Sequence, residues 1–130
     1  MLAGSRNVTS EIGMHLAVYR SRADVGAVIH SHPPIAKAFT CAGRALDDML
    51  CQEAAMTLGA VPLARYATTG TSEVAASLVP HLSNHDAILM ANHGAISYGT
   101  TLIEAMLKME TVEHIAHVSL VAHQLGSAQQ

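Results

Sequence analysis

Aromatic residues are nearly missing from this chain: one Phe, three Tyr and no Trp among 130 residues. A core must therefore be built from Ala, Val, Leu, Ile and Met. Half of the residues are apolar, too many for a disordered tail and enough for one folded domain. Charge is scarce as well, at 13% of the chain, and the seven Lys and Arg are scattered singly against ten Asp and Glu. No basic stripe follows from that distribution, which excludes nucleic acid as an expected partner. The two cysteines, Cys41 and Cys51, lack the C-x-x-C spacing of a zinc ribbon or redox motif and read as semi-buried free thiols in a reducing cytoplasm. No run of about eighteen apolar residues occurs, and MLAGSRNVTSEIGMH has no apolar centre of the signal-peptide kind, so neither a membrane partner nor export is expected. Repeats and linker-like clusters are also lacking, apart from a polar end at 126–130. The expectation is a single domain over 1–130 with its core in 6–125.

What is present alternates between helix and strand signals. Thr9 or Ser10 caps a helix with Glu11 in its first turn, running through Met14, Ala17 and Val18 toward Arg22. DVGAVIHSH has the β-branched apolar character of a buried strand, and Pro33 and Pro34 suit the first turn of a following helix, PPIAKAFTCAG, closed by Gly43. DDMLCQEAAMTLG predicts another helix, AVPLARY an extended segment, and TSEVAASLVPHL a helix capped by Thr71 or Ser72. DAILMANHG repeats the pattern of an apolar strand ending in polar residues, and the stretch 95–100 is given no element. The clearest helix comes last, with a capping box of Thr101 and Glu104 ahead of Leu102, Ala105, Met106, Met109, Val112, Ala116 and Leu120. Such alternation predicts a layered α/β architecture.

The nine histidines are unevenly placed. Residues i and i+2 of a strand share a face, so His30 and His32 project side by side from a strand end. The pair is either half of a metal site or two hydrogen-bonded surface groups. His93 also follows an apolar strand, with Gly94 allowing a sharp turn, and strand ends of α/β sheets are where sites are built. Glu11, at a helix start that favours an anion, supplies a carboxylate. Of the others, His15 lies one turn from Glu11 and reads as packed or hydrogen-bonded. His81 and His85 are expected to face solvent, and His114, His117 and His123 fall on the last helix, away from the strand ends. Lys37 and Lys108 read as solvated helix residues, Glu110 and Glu113 as solvated or interface charges, and the internal methionines as core filler.

These motifs together carry a family resemblance. TSEIGMHLAVYRSRADVGAVIHSHPPIAKAF, then YATTGT, then LMANHGAISYGTTLIEAMLKMETVEHIAHV resemble, in order and spacing, the class II aldolase/adducin family of the L-fuculose-1-phosphate aldolase and L-ribulose-5-phosphate 4-epimerase type. The resemblance runs from Arg6 to Val121. It implies a three-layer α/β/α sandwich around a mixed, largely antiparallel sheet. His30, His32 and His93 then fall on the family's metal ligands, for Zn2+ or another divalent ion such as Mn2+, Fe2+ or Co2+, and Glu11 falls on its acid–base group. Thr9 and Ser10 match its phosphate-binding serines, with Thr-Ser in place of Ser-Ser.

Implied with these is a divalent-metal-dependent lyase, performing retro-aldol cleavage of a small ketose or phosphoketose through a metal-stabilised enediolate. Glutamate rather than aspartate at position 11 resembles the aldolases more than the epimerases. Cys51 stands where a proton-donating tyrosine of the family aligns. Met1 precedes the Glu11 motif closely, so the domain is expected to be N-terminally shortened, and association into a homo-oligomer, a homotetramer by resemblance, is expected to cover the sheet edge. A non-catalytic scaffold like the adducin head, a truncated metal-binding domain without phosphate recognition, and a sugar-phosphate 4-epimerase or dehydratase are the alternatives.

Overall fold

The computed structural model describes Ser5, residues 7–48 and residues 50–126. Met1, Met49 and the tail residues 127–130 lie outside the described residues. The elements follow in the order α1 (Ile12–Ser21), β1 (Ala27–Ser31), α2 (Pro34–Cys41), α3 (Gln52–Thr57), β2 (Leu63–Ala64), α4 (Ser72–Leu78), a 3-10 turn (Val79–His81), β3 (Ala87–Met90), β4 (Gly94–Gly99) and α5 (Leu102–Leu125). The sheet has the order β1-β4-β3-β2, with β4 antiparallel to both β1 and β3, and β2 parallel to β3. This is the mixed, largely antiparallel sheet that the resemblance implies.

Alternation along the strands sorts the core into two layers. Ile88, Met90, Ile96 and Tyr98 face α1 and α4, packing with Met14, Val18, Val74 and Leu78. Ala87, Leu89 and Ala95 face the other way, onto Ala36 and Phe39 of α2, Ala54 of α3 and Met109, Val112, Ile115 and Ala116 of α5. Burying a Val, Leu or Ile side chain in such layers contributes about 1.5–3 kcal/mol. With so few aromatics, these aliphatic contacts carry the fold. Of the methionines expected inside, Met14, Met90 and Met109 are buried, whereas Met56 and Met106 are exposed on their helices.

Three elements differ from expectation. The strand β4 lies in the stretch given no element, since GAISYG begins and ends in glycine and has a serine at its centre. Ser97 is nonetheless fully buried, because its hydroxyl donates to the carbonyl of Ala105 at 2.8 Å, and Tyr98 donates its phenol to the carbonyl of His85. Helix α3 is shorter than the 47–59 segment, for an antiparallel bridge between Leu46 and Val61 draws the two ends of that segment together. Glu11 becomes the N-cap residue of α1 instead of a first-turn residue.

The capping box of α5 is also displaced by one residue. Thr101 Oγ1 accepts the Glu104 N–H at 3.1 Å, but the Glu104 carboxylate reaches back to the N–H and hydroxyl of Thr100, at 2.8 and 2.6 Å. Its other oxygen meets Lys108 Nζ at 2.7 Å, and Lys108 also holds Asp86 at 2.8 Å. Lys108 is therefore not solvated. Burial works against its charge, yet the two hydrogen-bonded carboxylates prevail and hold its pKa above the ordinary value.

The turn from β3 to β4 uses a left-handed residue, Asn92 at φ 57°, a conformation that asparagine tolerates better than other side chains. The next residue but one, Gly94, has no room for a side chain: a Cβ there would sit 2.4 Å from Cδ2 of His32 and 2.6 Å from the carbonyl oxygen of Ser31. Gly94→Ala is therefore expected to lower stability in urea titration by about 1–3 kcal/mol, the usual cost of overpacking. A second expectation concerns acid. The hydrogen bonds from Lys108 and Thr100 pull the Glu104 carboxyl from 4.5 down to about 2, so its stabilisation is complete above pH 4.5 and is lost as the pH falls toward about 2. Thermal melts of Glu104→Gln and the parent should differ at neutral pH and converge across that acid window.

Candidate metal centre

His30 is the fourth residue of β1 and His32 the first beyond its end, on the face that looks toward α1. The pairing of Ser31 with Ala95 in the β1–β4 ladder and of Met90 with Gly94 in the β3–β4 ladder brings the β3–β4 turn alongside. Within that turn the His93 N–H donates to the Met90 carbonyl at 3.0 Å. The rings of His30, His32 and His93 meet edge to face with centroids 4.8–5.1 Å apart, and one nitrogen from each lies within 4.8 Å of the others. His93 is buried, His30 half-buried and His32 exposed.

Glu11, at the start of α1, puts its carboxylate into the same cluster. Oε1 lies 3.0 Å from His93 Nε2 and Oε2 lies 3.1 Å from His30 Nε2. His30 Nε2 is in turn 3.2 Å from Nε2 of His32. The backbone settles the His30 tautomer: its Nδ1 is 2.9 Å from the carbonyl oxygen of Ala95, which only accepts, so Nδ1 carries the hydrogen. In neutral His30 the Nε2 is therefore a bare lone pair facing a carboxylate oxygen.

Burial lowers the pKa of His30, with the neighbouring His93 and His32 adding to the effect and the Ala95 carbonyl and Glu11 opposing it. It also lowers that of His93, again against the pull of Glu11. Neutral imidazoles are the form that ligates. Two lone pairs at 3.1 Å call for a cation, and a set of three imidazole nitrogens with one carboxylate suits a divalent transition metal. The backbone hydrogen bond on Nδ1 is also the kind of support that metal-ligating histidines receive. The donor set thus fits such an ion.

The other expected site residues are less close. Thr9 Oγ1 accepts the Glu11 N–H at 3.3 Å and is exposed. Ser10 lines a cavity of about 290 Å3 together with Glu11, Gly13, Gly70, Thr71 and Ser72. Glu11 lines this cavity and also meets the histidine cluster. His15 is half-buried, and burial lowers its pKa, with His30 adding to the effect and Glu11 opposing it.

Several surface assignments do not hold. His85 does not face solvent freely: it is half-buried, with Nδ1 3.0 Å from the Ala60 carbonyl oxygen. Cys41 is exposed, while Cys51 is semi-buried as expected. Glu113 is half-buried and accepts the backbone N–H groups of Ile35 and Ala36 at 3.0 and 2.8 Å. A signal for that role existed in Pro33-Pro34, which leave the next helix without a local cap. His114, His117 and His123 do lie along α5, and none of them joins the cluster.

Comparisons with known proteins bear on the family and the fold. The sequence profile of the Class II Aldolase and Adducin N-terminal domain matches residues 2–120. An L-fuculose phosphate aldolase of Methanococcus maripaludis is 30% identical over 118 residues, covering 91% of this chain and 64% of the relative. A 5-deoxy-D-ribulose 1-phosphate aldolase of Bacillus thuringiensis is 31% identical over 126 residues, covering 97% of this chain and 59% of the relative. A solved structure of L-fuculose 1-phosphate aldolase superposes with a TM-score of 0.92 at 32% identity, covering 98% of this chain and 60% of that one. The chain thus spans about three fifths of the length of these relatives. With nearly all of its residues inside the matched family profile and its fold shared, the chain belongs to the class II aldolase and adducin family.

Proposed function

We propose that this chain is a divalent-metal-dependent class II aldolase-type lyase domain that cleaves a small phosphorylated ketose. The observation that carries this is the convergence of His30, His32 and His93 on the Glu11 carboxylate, with a bare His30 nitrogen facing a carboxylate oxygen at 3.1 Å. His30, His32 and His93 would hold the ion, zinc or another divalent metal. A divalent cation bound there supplies Lewis-acid polarisation of a substrate carbonyl and balances the negative charge that develops on its oxygen.

The chain's own residues supply the rest. In a ketose 1-phosphate the bond between C3 and C4 breaks as the C4 hydroxyl proton passes to solvent water, and the electron pair is delocalised from C3 onto the C2 carbonyl oxygen. Glu11, having taken up a proton from solvent, then delivers it to C3, completing a three-carbon phosphate while the C4 fragment departs as an aldehyde. Glu11 is suited to this because it lines the cavity and its carboxylate meets His30 and His93. Thr9 and Ser10, just ahead of α1, would orient the phosphate beside the helix start, whose dipole favours an anion. Burial of His93 and His30 favours the neutral form of both imidazoles. Residues 1–130 are assigned to one domain with its core in 6–125, acting as a homo-oligomer in the cytoplasm.

The relatives' names suggest the probes. Metal-loaded protein should release aldehyde from L-fuculose 1-phosphate or 5-deoxyribulose 1-phosphate, and Glu11→Gln should lower turnover by about 100- to 10,000-fold while metal content is kept, the range typical of a lost general acid–base group. Unchanged turnover in Glu11→Gln would contradict the assigned proton transfer. A metal-loaded parent that cleaves neither sugar phosphate would contradict the lyase assignment and leave a metal-binding domain.

A further inference from the structure

Helix α2 begins immediately after the His30-x-His32 pair, yet it has no cap of its own. Pro34 is its first residue and lacks an N–H, and Pro33 at the N-cap position makes no side-chain hydrogen bond. The first N–H groups the helix has to satisfy are those of Ile35 and Ala36. Both are taken by Glu113 of α5, one on each carboxylate oxygen, across 78 and 77 residues of chain. A half-buried carboxylate with both oxygens engaged on a helix start is a strong, directional link, because the acceptor is charged and the helix dipole favours it.

The link matters because of what α2 joins. At its start stands His32, one residue past the last ladder pair of β1, an exposed imidazole whose ring bonds to His30. Near its end, the Thr40 carbonyl accepts the N–H of Asn92, which directly precedes His93. One short helix therefore touches the backbone on both sides of the cluster, and Glu113 anchors that helix to α5. We infer that Glu113 is a positioning residue: through the start of α2 its carboxylate sets the angle at which His32 meets His30 and His93. This rests on the metal reading proposed above.

Cobalt(II) serves as the probe, since its visible absorption reports ligand geometry and its affinity is measured by competition with a chromogenic chelator, both without turnover. Glu113→Gln should weaken cobalt binding about tenfold or more, the range for residues that support metal ligands, and alter the absorption band. Ile88→Val, which thins the opposite core layer without touching α2, should leave both unchanged. A double variant, Glu113→Gln with Pro33→Ser, gives the Ile35 and Ala36 N–H groups a local acceptor; it should regain thermal stability while cobalt binding stays weak. Parent-like affinity and spectrum in folded Glu113→Gln, or their full return in the double variant, would overturn the positioning role. A parent that takes up no cobalt would overturn the metal reading and this inference with it.

Discussion

Everything at the site depends on β4 pairing with both of its neighbours. Because β1 and β3 each run antiparallel to the same strand, the end of β1 and the β3–β4 turn meet at one end of the sheet, through the Ser31–Ala95 and Met90–Gly94 pairs. Two separate stretches of chain, 30–32 and 93, then deliver imidazoles to one point. Their spacing is set by ladder geometry and not by the flexibility of a loop. Gly94 allows the close approach, since any side chain there would displace His32.

The electrostatics follow from that crowding. Three imidazoles and a carboxylate form one cluster in which burial disfavours charge on His30 and His93. A proton would relieve the opposition of lone pairs between His30 and Glu11, but it works against burial. A divalent cation, as proposed, relieves it with all three rings neutral. On the proposed reading one side chain, Glu11, would serve both as a neighbour of the ion and as a proton carrier.

Much of this was legible in local sequence, and what was not depends on distant partners. The i, i+2 spacing of His30 and His32 at the end of an apolar run, and the glycine after His93, identify three imidazoles because strand alternation and turn chemistry are local rules. Glu11 was legible as an anion at a helix start. The strand β4 was hidden by its own composition: its central Ser97 is tolerable inside only because Ala105, on another element, accepts its hydroxyl. Lys108 read as solvated, and Glu113 as a solvated or interface charge, for the same reason. Lys108 needs Asp86 beside it, and Glu113 needs a helix start 77 and 78 residues away. No periodicity within either helix announces such pairings.

The central claim is that His30, His32 and His93 form a metal site. Elemental analysis of protein purified without a histidine tag, alongside His93→Ala, tests it most directly. About one equivalent of divalent metal per chain in the parent and little in the variant is the expected result. No metal in either protein, even after zinc is added, would contradict the claim.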